Sequence, residues 1–145
     1  MIQQKILSVD FGFARIGLAI SNAHNKFAIA YKLLHFKNIS LIETQLAEII
    51  VKEQIGLILI GYPYDGEGNK TPMCHSIDIF SESLARYLKR NNTVIPFVFW
   101  NETLTSYEAE ENLLQKKVNY TSKDGKIDVE SARIILQEYL NNSVL

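Results

Sequence analysis

The chain has 145 residues, 47% of them hydrophobic, with 15 basic and 16 acidic side chains and a formal net charge of −1. This length and composition predict one globular domain that occupies residues 1–145 and has a core of ordinary size. The near-neutral charge excludes a protein that coats nucleic acid by bulk electrostatics, so any polyanion has to be bound by a local basic patch.

Three strand-like segments come first in the chain. They cover Lys5–Asp10, Arg15–Ser21 and about residues 27–36, and the short connectors between them predict antiparallel neighbours. In the second segment apolar side chains alternate with mostly small ones, so one face of the strand is apolar and the other offers little bulk. We therefore expect another element to pack closely against the small face.

Helices and buried strands alternate after the third segment. The spacing of apolar residues predicts a first helix over about residues 40–54, with Ser40 and Glu43 as its capping box. The run from Gly56 to Gly61 is apolar between its two glycines, which is typical of a strand buried on both faces by helices.

The second half of the chain continues this alternation. Thr71 is the predicted N-cap of a second helix that ends near Asn91, and Thr93–Trp100 is a further buried strand. Two more helices are predicted over about residues 105–117 and 127–140. The order β-β-β-α-β-α-β-α-α predicts an α/β fold with a mixed five-stranded sheet, three antiparallel strands followed by two parallel ones, and helices on both faces.

Several features indicate a cytoplasmic protein that does not cross a membrane. No segment contains the roughly 18 to 20 consecutive apolar residues that a membrane helix needs, and the amino-terminal residues lack a signal-peptide pattern. The single cysteine, Cys74, excludes an internal disulfide. The three histidines are too scattered to predict a zinc site with it.

Three acidic residues occupy positions where a sheet of this kind gathers its active groups. Asp10 ends the first strand and Glu102 follows the last one, so the topology brings both to the carboxyl ends of the parallel strands. Asp128 lies one helical turn before the apolar stripe of the last helix, so it faces inward. Each residue also has a purely structural explanation. The helix macrodipole favours a carboxylate such as Asp128 in the first turn of a helix, and Asp10 and Glu102 could each belong to a turn.

Convergence of these three carboxylates predicts a divalent metal site. They would repel one another by about 4 kcal/mol per pair at about 4 Å and an effective dielectric near 20, so the arrangement calls for a cation. Oxygen ligands favour Mg²⁺ or Mn²⁺ over zinc, and two such ions about 3.5 to 4 Å apart are the standard apparatus of phosphodiester hydrolysis. We predict one or two ions with Asp10 as the bridging ligand, and leave Asp65 and Glu108 open as a fourth ligand.

Four segments, in order, resemble the YqgF/RuvX family: VDFGFARIGLAIS, LIGYPYDGEG, NETLTSYEAE and KIDVESARIILQEYL. The members of this family are Holliday junction resolvases that are also described as nucleases trimming the precursor of 16S ribosomal RNA. The resemblance covers nearly the whole chain. It implies a ribonuclease H-like fold, which agrees with the order of elements derived above.

The resemblance also implies roles for individual residues. The family's three metal-binding acids fall on Asp10, Glu102 and Asp128, and Arg15 matches a basic residue that is expected near a substrate phosphate. The chain departs from the family at Thr103, where an arginine is usual. A threonine cannot supply the forked hydrogen bonds that a guanidinium makes to phosphate, so this departure bears on substrate affinity or turnover.

A basic segment precedes Asp128. Residues 116–126 contain four lysines and one aspartate, with Tyr120 among them. Lysines bind phosphates and a tyrosine can stack on a base, a combination suited to single strands or distorted junctions, whereas the structural alternative is a solvated loop. The predicted substrate contacts are Arg15, Lys117, Tyr120, Lys123 and Lys126.

These features together predict a metal-dependent nuclease that acts on structured nucleic acid. On the resemblance, the favoured substrate is the 5′ end of pre-16S ribosomal RNA, and the alternative is a Holliday junction in DNA recombination or repair. A non-catalytic RNA-binding or ribosome-binding module is the second alternative, favoured by Thr103. An actin-like ATPase would need two lobes and therefore a longer chain. The predicted partners are nucleic acid and the ribosome, and both a monomer and a homodimer are compatible with the sequence.

Overall fold

One mixed sheet organises the described residues, 4–102 and 126–142, in a computed structural model of the chain. Its strands are β1 (Lys5–Asp10), β2 (Arg15–Ser21), β3 (Ala28–His35), β4 (Ile55–Tyr62) and β5 (Phe97–Asn101). The helices are α1 (Ile39–Lys52), α2 (Pro72–Arg90) and α3 (Lys126–Asn142). The strand order is β3-β2-β1-β4-β5, with the first three strands in the chain antiparallel and β4 and β5 parallel to β1, as predicted.

The start of α1 differs from the prediction. Asn38 is its N-cap, and Asn38 Oδ1 accepts a hydrogen bond from Leu41 N at 2.9 Å. The prediction of a capping box at Ser40 and Glu43 is therefore wrong. Asn38, another good capping residue two positions upstream of Ser40, caps the helix instead. Glu43 is buried instead and accepts a hydrogen bond from Ser83 Oγ of α2 at 2.9 Å, so it ties the two helices together.

The α2 helix begins and ends where the sequence predicts. Thr71 is the N-cap, Pro72 is the first helical residue and Asn91 is the C-cap. The strand predicted over Thr93–Trp100 is shorter at its start, since β5 begins at Phe97. The helix predicted over residues 105–117 lies outside the described residues.

The two faces of the sheet are covered by different helices. Side chains of α1 and α2 pack on one face against the apolar side of β2, which includes Ile16 and Leu18. Side chains of α3 pack on the other face against Ile6, Ala19 and Leu59. Burial of these apolar side chains on both faces supplies the main favourable contribution to folding. Among the described helices, none combines the length and the apolar character that crossing a membrane requires.

Hydrogen bonds fix α3 across the whole width of the sheet. Ser8 Oγ of β1 donates to the Ala132 carbonyl at 2.8 Å. Trp100 Nε1 of β5 donates to a Glu138 carboxylate oxygen at 3.1 Å. Gln137 Oε1 accepts from a backbone N–H of β3 at 2.9 Å. Because three strands hold the helix, the position of its first turn relative to the strand ends is determined.

Candidate active site

The predicted acids come to the edge of the sheet where β1, β4 and β5 end. Asp10 is the last residue of β1 and pairs with Gly17 of β2. Glu102 directly follows β5, and its backbone N–H donates to the Tyr62 carbonyl at the end of β4 at 3.3 Å. Asp128 lies in the first turn of α3. The carboxyl ends of the parallel strands therefore carry two of the three acids, and the helix carries the third.

The side chains of Asp10 and Glu102 lie close enough to interact with each other. Two carboxyl groups can share a hydrogen bond only if one of them carries a proton. The pKa of Asp10 is raised well above its ordinary value. Burial is the largest cause, and the negative charges of Glu102 and Asp128 add to it. Burial also raises the pKa of Glu102 to about 7, while its hydrogen bond with Asp10 acts in the opposite direction. Without a cation, this environment favours the pair with one proton over the pair with both groups ionised.

Asp128 is held at the same edge by Arg15. Arg15 Nε donates to Asp128 Oδ2 at 3.1 Å, and both side chains are partly buried. Arg15 is the first residue of β2, so the ion pair connects the strand next to β1 with the helix above it. The Arg15 guanidinium thereby gives the Asp128 carboxylate a charge-assisted hydrogen bond.

Two glycines provide the space in which the acids meet. A Cβ atom on Gly17 would lie 2.2 Å from the Asp128 carbonyl oxygen, so the small face of β2 is the surface on which the first turn of α3 rests. A Cβ atom on Gly61 would lie 2.8 Å from Glu102 Oε2 and 2.7 Å from Ile135 Cδ1. The sequence pattern predicted a close contact at the first position. It did not assign Gly61 to the site, although a glycine near the end of a buried strand is a signal of close approach.

The donor set suits a hard cation, because it consists of carboxylate oxygens alone. Mg²⁺ is commonly bound by one or two carboxylates, with water and substrate phosphate completing its shell, so the Asp10 and Glu102 pair fits such an ion. Within residues 4–102 and 126–142, no three His, Cys, Asp or Glu side chains are arranged to hold a metal ion. Asp128 is paired with Arg15 in this arrangement. A site with all three acids therefore remains a prediction.

The other predicted site residues lie in a loop, at the start of α3 or outside the described part of the chain. Asp65, one candidate for a fourth ligand, accepts hydrogen bonds from two backbone N–H groups of its own loop, each at 2.8 Å. These bonds lower the pKa of Asp65 and stabilise the loop. Lys126 is exposed at the start of α3. Several residues lie outside the described part of the chain, and their roles remain predictions: Thr103, Glu108, Lys117, Tyr120 and Lys123.

Comparisons with known sequences agree on one family. The family model of RuvX, described as a Holliday junction resolvase, matches residues 4–142. A relative from Bartonella quintana is 32% identical over 138 residues, which are 95% of this chain and 84% of the relative. A relative from Maridesulfovibrio salexigens is 33% identical over 136 residues, which are 94% of this chain and 97% of the relative. The names of both relatives designate candidate pre-16S rRNA nucleases.

Solved structures with the same fold are more distant in sequence. The Thermus thermophilus RuvC structure in complex with a Holliday junction substrate has a TM-score of 0.61 at 10% identity, covering 97% of this chain and 95% of that one. The Fowlpox virus resolvase in complex with Holliday junction DNA has a TM-score of 0.61 at 18% identity, covering 98% of this chain and 100% of that one. These likenesses confirm the ribonuclease H-like fold that the family resemblance implies.

Proposed function

The chain belongs to the RuvX family of nucleases, and from this membership we propose that it hydrolyses phosphodiester bonds of structured nucleic acid with the aid of a divalent metal ion. The observation that carries the proposal is the close approach of the Asp10 and Glu102 side chains at the carboxyl ends of β1 and β5. Two partly buried carboxyl groups this close are unfavourable when both are ionised. Such a pair is therefore typical of a site that binds either a proton or a cation.

The side chains have separate tasks in this proposal. Asp10 and Glu102 bind one or two Mg²⁺ or Mn²⁺ ions when both are ionised, and Asp128 is the third candidate ligand. An ion bound there supplies water activation and stabilisation of the negative charge on the leaving oxygen. Arg15 orients a phosphate of the substrate, since a guanidinium forms directed hydrogen bonds to phosphate oxygens.

We favour the precursor of 16S ribosomal RNA as the substrate. The relatives named for that activity share 32% and 33% identity with most of this chain, whereas the resolvases bound to DNA junctions share only 10% and 18%. This substrate would place the protein in the cytoplasm and in contact with ribosomal particles. A DNA Holliday junction is the second candidate substrate, because the matching family model carries that description.

A cleavage assay tests the proposal. The purified protein is incubated with a 16S RNA precursor carrying its 5′ extension, and separately with a four-way DNA junction, in Mg²⁺, in Mn²⁺ and in EDTA. We expect cleavage of the RNA with either ion and none in EDTA. Asp10→Asn and Glu102→Gln keep the size of each side chain and should lower the rate by roughly 100-fold or more. Glu82→Gln, an exposed position on α2, is the matched control and should cleave normally.

The outcomes separate the candidate functions. Cleavage of the DNA junction alone would make the protein a resolvase. Binding of RNA without cleavage of either substrate in any of the metal conditions would overturn the proposal and indicate a binding module. Equal rates for the native protein and Asp10→Asn would show that hydrolysis occurs elsewhere.

A further inference from the structure

Ser131 carries a hydroxyl group that the folded chain leaves without a partner. The residue is fully buried in α3, and within the described part of the chain its Oγ makes no hydrogen bond. Other buried serines are satisfied by backbone carbonyls. Ser8 donates to the Ala132 carbonyl at 2.8 Å, and Ser81 donates to the Ile77 carbonyl at 2.7 Å. Because an unpaired buried hydroxyl costs free energy, Ser131 indicates that another state of the protein supplies a partner.

Contacts further along α3 identify the side of the helix on which Ser131 lies. Glu138 follows Ser131 by about two helical turns, so the two side chains share one side of the helix. Glu138 accepts its hydrogen bond from Trp100 of β5, whereas the neighbouring Gln137 bonds β3 at the opposite edge of the sheet. Ser131 therefore lies on the side of α3 that is directed towards β4 and β5.

The turn before Ser131 rests at the acids. Asp128 precedes Ser131 by three residues, and side chains at this spacing are neighbours on a helix surface, with Cβ atoms about 5–6 Å apart. The Asp128 carbonyl lies against Gly17, and Gly17 pairs with Asp10 at the end of β1. The charge of Asp128 also contributes to the raised pKa of Asp10, which requires the two carboxyl groups to be close. Ser131 is therefore one helical turn from this edge of the sheet.

The turn after Ser131 contacts the other acid. Ile135 follows Ser131 by four residues, so its side chain is the next one on the same face of α3. A Cβ atom on Gly61 would lie 2.7 Å from Ile135 Cδ1 and 2.8 Å from Glu102 Oε2, so the side chains of Ile135 and Glu102 meet beside β4. The residues before and after Ser131 on this face thus both reach the acids, which places its buried hydroxyl between α3 and the carboxyl ends of the strands.

We propose that Ser131 is a positioning residue that donates its hydroxyl hydrogen to the Glu102 carboxylate in the state of the protein that holds a divalent cation. The inference rests on the proposed function, which places the cation at the acids. A carboxylate that binds a cation through one oxygen keeps lone pairs on the other, and carboxylate ligands are commonly held by a further hydrogen bond. In the structure Glu102 lies against Asp10 instead, which accounts for the hydroxyl that has no partner among the described residues.

The proposal predicts opposite effects of the hydroxyl on two properties. It lowers the stability of the metal-free protein, because it is buried without a partner, and it favours metal binding, because it holds a ligand in place. A serine that only filled space would add to stability and would leave metal binding unchanged. Removal of the hydroxyl therefore distinguishes the two roles.

Calorimetry with Mn²⁺ and thermal unfolding in EDTA test the proposal. Ser131→Ala should lower the Mn²⁺ affinity by about 10- to 100-fold, as when other groups that orient metal ligands are lost. Its Tm in EDTA should equal or exceed that of the native protein, since alanine buries no hydroxyl and favours a helix. Ser131→Cys keeps the volume of the side chain but donates only weakly, so its Mn²⁺ affinity should be nearly as low as that of Ser131→Ala.

Two further variants serve as references. Ser81→Ala also removes a buried hydroxyl from a helix, but α2 covers the other face of the sheet, so this variant should bind Mn²⁺ normally. Asp10→Asn removes a proposed ligand and should abolish the Mn²⁺ binding that belongs to this site.

Three outcomes would overturn the proposal. The first is a normal Mn²⁺ affinity of Ser131→Ala. The second is an affinity that Ser131→Cys restores, which would indicate packing alone. The third is a lowered Tm of Ser131→Ala in EDTA, because the hydroxyl would then have a partner in the metal-free protein.

The two proposals can fail separately. Mn²⁺ binding and cleavage that do not depend on Ser131 would refute the positioning role alone. Mn²⁺ binding that depends on Ser131 in a native protein that cleaves neither substrate would refute hydrolysis alone. A native protein that binds no Mn²⁺ would refute both.

Discussion

Arg15 Nε donates a hydrogen bond to Asp128 Oδ2 at 3.1 Å, which joins a residue expected to bind phosphate with one expected to bind metal. If both residues have these roles, the two functions compete for the same atoms. A substrate phosphate that engaged Arg15 would weaken its pairing with Asp128 and would allow Asp128 to turn towards Asp10 and Glu102. The ion pair would then link substrate binding with completion of the candidate metal site.

Replacement of Arg15 tests this link. Arg15→Gln should raise KM for the nucleic acid by about 10-fold or more, because a charge-assisted hydrogen bond to phosphate contributes about 1.5–3 kcal/mol. The free energy of unfolding should change by less than about 1 kcal/mol, since the pair is partly exposed to water. Initial rates over a range of substrate concentrations and urea denaturation measure the two effects. Arg15→Lys keeps the charge but loses the fork, so its KM should lie between those of the other two proteins.

Gly17→Ala should destabilise the protein. The added Cβ would meet the Asp128 carbonyl oxygen at 2.2 Å, and backbone held by several other contacts cannot easily move away. We expect a loss of about 1–3 kcal/mol in the free energy of unfolding, measured by urea denaturation. Gly66→Ala is the control, because no atom lies within 4 Å of its added Cβ. Equal stability of the two variants would mean that α3 does not rest on Gly17.

Gly61→Ala should impair activity more than stability. Its added Cβ would meet the ends of two side chains, Glu102 Oε2 at 2.8 Å and Ile135 Cδ1 at 2.7 Å, and side-chain ends can rotate away. Glu102 would then leave its place beside Asp10. We expect Mn²⁺ affinity, measured by calorimetry, to fall by about 10- to 100-fold, as when a group that orients a metal ligand is lost. A variant that binds Mn²⁺ normally would contradict this role for Gly61.

The metal-free protein should lose stability as the pH rises. In the unfolded chain the pKa values of Asp10 and Glu102 take their ordinary values of 3.8 and 4.5, and in the folded chain both are raised, that of Glu102 to about 7. Between about pH 4 and pH 7 the folded state thus binds more protons than the unfolded state, so the free energy of unfolding falls with pH across this range, by roughly 1–3 kcal/mol.

Thermal unfolding measures this dependence. In EDTA, Tm of the native protein should be higher at pH 5 than at pH 8. This difference in Tm should be smaller in Glu102→Gln, which lacks the titrating group. Mg²⁺ should raise Tm of the native protein more at pH 8 than at pH 5, because the cation replaces the shared proton. Identical pH slopes for the native protein and Glu102→Gln would contradict the assignment of the raised pKa.

Local patterns in the sequence were sufficient to predict most of the fold. The alternation of apolar and small residues in β2 predicted a close neighbour on its small face, and α3 packs there. Glycines around an apolar run identified β4, and Thr71 with Pro72 identified the start of α2. The α1 cap was missed because Asn38 and Ser40 are both good capping residues and only the folded chain distinguishes them.

The sequence by itself determined which elements form and which acids lie at their ends, because hydrophobic period, turn residues and caps act over a few neighbouring positions. Only the tertiary structure decided that Asp10 lies beside Glu102, that Arg15 bonds Asp128 and that Gly61 makes room for a carboxylate. These contacts depend on strand register and on where α3 is anchored across the sheet. Both result from the packing of the whole core, which no short stretch of sequence specifies.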